Sequence, residues 1–110
     1  MSFEVRWTAA AAADLEEIIE WIARNDSPAR AEHVLGRIES VVNSLQRYPE
    51  RGGYPPELLE VGSRDYRETF FKPYRILYRV QGRQVFIYLV ADGRRDLQTL
   101  LARRLLAGRS

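Results

Sequence analysis

The sequence contains no cysteine. That excludes a disulfide framework, thiol chemistry and zinc–cysteine sites together. It also fits a reducing compartment, and a cytoplasmic protein is the expectation. Histidine occurs once, at His33, so a metal centre lacks ligands, and neither a metal nor a cofactor is expected. Glycine-rich phosphate and dinucleotide signatures are missing, as is any helix-turn-helix or zinc-finger pattern. No apolar run reaches membrane length, because Asp14, Glu16 and Glu17 interrupt the stretch after Ala9–Ala13. The opening MSFEVRW lacks the charged segment and apolar run of a signal peptide. Lysine is nearly absent too: all but one of the 17 basic residues are arginine. Arginine makes flat, bidentate contacts with phosphate and carboxylate, where lysine is closer to a point charge.

What remains is a chain of 110 residues, 45% hydrophobic, which fits one domain over residues 1–110 with a modest core. Its net charge of +2 hides an asymmetry. Residues 1–63 carry six arginines against eleven acids, a net of −5, and residues 64–110 carry a net of +7. The halves either neutralise each other within the fold or present a basic face to a nucleic acid or an acidic partner.

Phe3, Val5 and Trp7 alternate with Glu4 and Arg6, which predicts a short strand. Thr8 can cap a helix from Ala9 to about Asn25. Leu15, Ile18, Ile19 and Ile22 form its apolar face, and Asp14, Glu16, Glu17 and Glu20 form a solvated flank. Ser27-Pro28 reads as the N-cap and first position of a second helix. Its stripe is Ala31, Val34, Leu35, Ile38, Val41, Val42 and Leu45, and Tyr48-Pro49 stops it. The short connection makes the two helices an antiparallel hairpin. Residues 49–63 hold three prolines and three glycines and read as a loop with a helical turn near Glu57–Glu60. Three strands follow near 65–71, 74–80 and 84–91. The turns at Lys72-Pro73 and Gln81-Gly82-Arg83 make them an antiparallel meander. In the middle strand, Tyr74, Ile76, Tyr78 and Val80 share one face, while Arg75, Leu77 and Arg79 share another that must be partly wet. The aromatics at strand spacing, Tyr66 to Tyr88, are read as core rather than as base-stacking platforms. Leu97, Leu100, Leu101 and Leu105 predict a short C-terminal helix ended by Gly108. The fold class is α+β: an N-terminal strand, then an antiparallel helical hairpin packed on an antiparallel sheet.

Three segments carry a resemblance to a known family. LQRYPERGG at 45–53, YRILYRV at 74–80 and VFIYLVADGRRDL at 85–97 resemble, in that order, the RelE/ParE superfamily of bacterial toxins. The resemblance implies a toxin of a type II toxin–antitoxin pair that arrests growth and stabilises plasmids. It also implies a cognate ParD-like antitoxin whose tail folds on the toxin. RelE-like members cut messenger RNA on the ribosome; ParE-like members block DNA gyrase without chemistry of their own.

RNA cleavage needs the 2′-OH deprotonated, the leaving oxygen protonated and the phosphorane stabilised. Arg75 and Arg95 match the arginines of RelE-like members. The lysines of that branch fall near Tyr66 and Glu68, and its tyrosine falls near Leu101, which cannot move a proton. Glu57, Glu60 or Glu68 could supply a carboxylate, but His33 lies in the second helix and reads as structural. The expectation is therefore a ParE-like toxin that binds gyrase, with Arg67, Arg75, Arg79, Arg94 and Arg95 contacting antitoxin or target. The alternatives are a ribosome-dependent endoribonuclease using Arg75 and Arg95, or a non-toxic member that only binds antitoxin. Arg75 and Arg79 also have a structural reading, paired with Glu68 or Asp65 across the sheet.

Overall fold

Thr8 shows how local sequence builds the fold. Its backbone is extended and its Oγ1 accepts from the Ala11 N–H at 3.1 Å, capping the first helix. The same hydroxyl donates to the Ile87 carbonyl at 2.9 Å, tying that helix to the sheet. In the computed structural model, which describes the backbone of residues 2–107 and the side chains of residues 2–104, β1 (Glu4–Trp7) leads into α1 (Ala9–Asn25). Ser27 then caps α2 (Pro28–Asn43), accepting from the Arg30 N–H at 3.0 Å. α2 ends five residues before Tyr48-Pro49 and tightens into a 3₁₀ turn, Ser44–Gln46. The Ser44 hydroxyl donates to the Val41 carbonyl at 2.6 Å, a local bond that competes with the helical ladder.

The proline–glycine segment holds one helical turn, α3 (Pro56–Leu59), and leads to β2 (Arg67–Phe71), β3 (Tyr74–Gln81) and β4 (Gln84–Asp92). The meander is antiparallel as expected, and Gly82 makes the second turn at φ +60°. The sheet order is β1-β4-β3-β2, with β1 added parallel to β4, so the complete sheet is mixed. The chain closes with α4 (Leu97–Ala107). The expected stop at Gly108 lies outside the described residues, and the Leu105 side chain outside the described side chains.

The sheet is covered on both faces. On one, α1 and α2 pack Ile22, Val34, Ile38 and Val42 onto Ile76, Tyr78, Val85, Ile87 and Val90, all at most 5% exposed. On the other, Leu58 of α3 and Leu97 and Leu101 of α4 pack onto Leu77, Leu89 and Ala91. A register shift opposite Leu77/Tyr78 sends Ile87 to the helical face and Leu89 to the other, so β4 feeds both cores. The arginine face is thus dry where α3 and α4 sit. It is open only around Arg79, Phe86 and Tyr88, which are half-buried.

Candidate docking cleft and arginine face

Arg75 leans from β3 under α3. Its Nη1 and Nη2 donate to the two oxygens of Glu57 at 2.7 and 2.9 Å, and its Nε and Nη2 donate to Glu68 Oε2 at 2.9 and 2.6 Å. The guanidinium side chain is 13% exposed and the Glu68 side chain 8%. Hydrogen bonding from Arg75 holds the Glu57 carboxyl below the ordinary carboxylate range. The two carboxylates, Glu57 first, push Arg75 further toward permanent charge. Gly93 packs against this residue: a Cβ there would meet the Arg75 side chain at 3.3 Å and the Pro73 carbonyl at 3.0 Å.

The other arginines have distinct positions. Arg67 lies on the hairpin side of β2. It donates to the carbonyls of Glu50 and Gly52 and to the Tyr54 hydroxyl, with its guanidinium 4.6 Å from the Tyr54 ring centroid. It closes the proline–glycine loop from outside, while the buried Tyr78 hydroxyl accepts from the Gly52 N–H at 3.0 Å from inside. Arg79 stands over the ring of Tyr66, which meets Tyr88 edge-on. Burial raises the Tyr66 hydroxyl above its ordinary pKa. Arg94 folds back on Asp92 with two bonds of 2.9 and 2.6 Å, and this pair lowers the Asp92 carboxyl to about 2. The Arg95 side chain makes no hydrogen bond or ion pair among the described residues.

Arg94 and Arg95 border a cleft of about 610 Å³ between α1 and the ends of β3 and β4. Ile18, Trp21, Tyr74, Val90 and Ala91 form its apolar lining, and Trp21 is 60% exposed. At 1.5 Å rise per residue, Asp14 and Arg24 stand roughly 15 Å apart along α1, and the charged lining of the cleft is mixed: Asp14, Glu17, Glu20 and Asp92 with Arg24, Arg94 and Arg95. Asp14, placed by sequence on a solvated flank, is half-buried instead. It accepts from the Val90 N–H at 3.1 Å and from Arg104 of α4 at 2.8 and 3.1 Å. Arg104 also donates to the Tyr88 carbonyl at 2.5 Å, because β4 runs past the end of β1 and its backbone groups there need partners.

The positions where the proton-transfer residues of the ribonuclease branch would fall are not brought together. Tyr66 is half-buried under Arg79, Glu68 is spent on Arg75, and Leu101 lies in the second core. His33 is exposed on α2, edge-on to Phe71 at 6.4 Å. No cluster of three or more His, Cys, Asp or Glu able to hold a metal occurs among the described residues, nor any helix long and apolar enough to cross a membrane. Sequence reasoning missed Trp21 as a site residue. Its signal was present: it is a tryptophan off the Leu15–Ile18–Ile19–Ile22 stripe, and an aromatic off the core face is left facing solvent.

Comparison with known proteins places this geometry. A chain from the chromosomal ParDE toxin–antitoxin system of P. aeruginosa superposes with a TM-score of 0.68, at 24% identity over 83% of this chain and 96% of that one. The toxin–antitoxin complex RelBE2 of Mycobacterium tuberculosis gives 0.59, at 24% identity over 84% and 99%. The fold is that of the RelE/ParE toxins. Residues 5–97 match the family model of the ParE toxin of type II toxin–antitoxin system parDE. Toxin ParE3 of Caulobacter vibrioides is 33% identical over 92 residues, 83% of this chain and 87% of that protein. The chain belongs to the ParE toxin family.

Proposed function

We propose that this ParE-type toxin arrests growth by binding DNA gyrase and stalling it on cleaved DNA, with no hydrolytic chemistry of its own. A ParD-like antitoxin neutralises it in the cytoplasm. The observation that carries this reading is the state of Arg75. A ribonuclease would need that guanidinium free for a phosphate beside a tuned acid and base. Here the guanidinium is already bonded to two carboxylates, Glu57 and Glu68, and its side chain is only 13% exposed. A phosphate would have to displace Glu57 and Glu68 and leave one half-buried and one buried carboxylate without a cation, which is costly.

On this reading the five arginines divide by the contacts they make. Arg67 and Arg75 build the scaffold, Arg79 and Arg94 are partly committed, and Arg95 is the one offered outward. The cleft beside it suits the tail of an antitoxin, with apolar side chains against Ile18 and Trp21 and acids toward Arg24 and Arg95. Induced expression with two readouts tests the proposal. Loss of plasmid supercoiling with a DNA-damage response is the expected outcome. Prompt translation arrest with cut messages would replace it with the ribosome-dependent ribonuclease reading, and unimpaired growth with that of a non-toxic antitoxin binder.

A further inference from the structure

Independently of the target, one flank of α2 gathers cations that bond to no carboxylate. At about 3.6 residues per turn, Arg30, Arg37 and Ser40 fall within a sector of about 80° around the helix, in a half of the chain whose net charge is −5. His33 shares the sector and turns its ring edge-on to Phe71. Glu32 and Glu39, the acids of α2, lie outside it, and Glu39 borders the groove floored by Leu15, Ile19 and Leu35 on the α1 side. β2 passes the flank with the Phe71 ring centroid 5.7 Å from the Arg37 guanidinium, and Lys72 follows at an exposed turn. Beyond the end of α2, Arg51 reaches back and donates to Ser44 Oγ at 2.7 Å. Among the described residues, Arg30, Arg37, Arg51 and Lys72 make no ion pair. The acids at the two ends of the flank, Asp26 and Glu50, are exposed and bridge to none of these cations.

We propose that this flank is a docking surface for the phosphate backbone of double-stranded DNA. Arg30 and Arg37 stand about 10 Å apart along α2. That is the axial span of about three phosphates of one DNA strand, at about 3.4 Å each. Each guanidinium grips a phosphate with two parallel bonds, and the Ser40 hydroxyl between α2 turns donates to a third. Arg51 and Lys72 extend the row beyond the two ends of the arginine pair. Contacts of this kind neutralise phosphates and read no bases, so the binding is independent of sequence and falls steeply with salt.

The chemistry of the flank selects this occupant over others. Among the described residues the exposed large hydrophobics are Trp21, Tyr48, Leu59, Val61 and Phe70, none of them on α2. Phe70 alternates with Phe71 and so points to the other face of the sheet. An acidic protein would need apolar anchors at the centre of its footprint, and a single strand would need exposed rings on which to stack its bases. Duplex RNA is gripped across two successive minor grooves spanning about 16 base pairs, a longer reach than one flank of a 16-residue helix. A row of unpaired cations with a serine among them meets the need of a B-form backbone. The proposal does not rest on the gyrase reading, and its test contains no gyrase.

Fluorescence anisotropy of a labelled DNA duplex of arbitrary sequence, titrated with the full chain, tests the docking. The expected result is saturable binding that weakens about 40-fold between about 50 and about 200 mM salt, as for three phosphates. Arg30→Gln with Arg37→Gln should weaken binding at low salt by at least about tenfold and cut the salt response to about fourfold, as for one phosphate. Arg30→Lys with Arg37→Lys keeps the charge and should keep most of the salt response. Arg64→Gln with Arg103→Gln removes the same charge from exposed positions after α3 and on α4, across the sheet, and should leave binding within about twofold of wild type. Circular dichroism should be unchanged for all three pairs. A wild-type chain that does not bind the duplex at low salt overturns the proposal. So does an equal loss from the Arg64 and Arg103 pair, or tighter binding of a duplex RNA of the same sequence. Displacement of the DNA by polyglutamate at equal charge concentration also overturns it and assigns the flank to an acidic protein.

Discussion

Arg75 is bonded to two carboxylates, Glu57 and Glu68, with its side chain only 13% exposed, so its loss differs in kind from the loss of a surface ion pair. Arg75→Gln leaves Glu57 and Glu68 facing each other without a cation and should destabilise the fold by about 3 kcal/mol in denaturant unfolding. Arg95→Glu, on an exposed turn, should change stability by less than about 0.5 kcal/mol. The pH dependence follows from Glu57. Its folded pKa lies below the usual value, so its contribution is fully present above the ordinary carboxylate range and is lost as pH falls through the lowered folded value. The melting-temperature advantage of wild type over Glu57→Gln should hold at neutral pH and shrink below about pH 4. An advantage independent of pH would show that Glu57 acts by packing and not by charge. The Arg75–Glu68 pairing was legible in the sequence as a cross-strand option. Glu57 was not legible as the stronger partner, because a loop carboxylate declares its neighbours only once the loop has closed.

Among the elements, α1 and the start of α2 were legible to the residue, because capping residues and apolar stripes are local signals, while α2 ended before Tyr48-Pro49 in a 3₁₀ turn. Thr8 joins capping to tertiary contact, so Thr8→Ala should cost about 1–2 kcal/mol, more than an isolated cap. It should also speed amide exchange at the start of α1. The sheet was legible as a meander. The parallel seat of β1 beside β4 was not, since a four-residue strand carries no mark of its partner. Nor was the second core. Leu58, Leu97 and Leu101 read as a loop residue and a helix face, and the irregularity in β4 that turns Leu89 toward them leaves no trace in an alternating apolar run. That missed layer explains why the arginine face, expected to be partly wet, is open only around Arg79, Phe86 and Tyr88 among the described residues. Gly52 is a further constraint at this scale. A Cβ there would lie 2.3 Å from the Glu68 carbonyl and 2.7 Å from the Tyr78 hydroxyl, so Gly52→Ala should displace the loop and cost about 1–3 kcal/mol.

For the whole molecule, the charge asymmetry seen in composition is partly resolved inside the fold. Asp14 with Arg104, and Glu57 with Arg75, join the acidic and basic halves. What remains outward is the cleft lined by the exposed Trp21 and bordered by Arg95. If an antitoxin tail occupies it, Trp21→Ala should weaken antitoxin binding by about 2 kcal/mol, roughly 30-fold in Kd, and Arg95→Glu should slow association at low salt. Calorimetry and stopped-flow mixing with the antitoxin would show both effects, while melting temperatures stay near wild type. The central claim is that the toxin acts by binding and not by cutting, and one measurement reaches it most directly: supercoiling of relaxed plasmid by purified gyrase and ATP with increasing toxin. The account predicts loss of supercoiling with accumulation of linear, gyrase-linked DNA, retained by a folded His33→Ala variant. Unimpaired supercoiling, together with cleavage of messenger RNA on ribosomes by the same preparation, would contradict it.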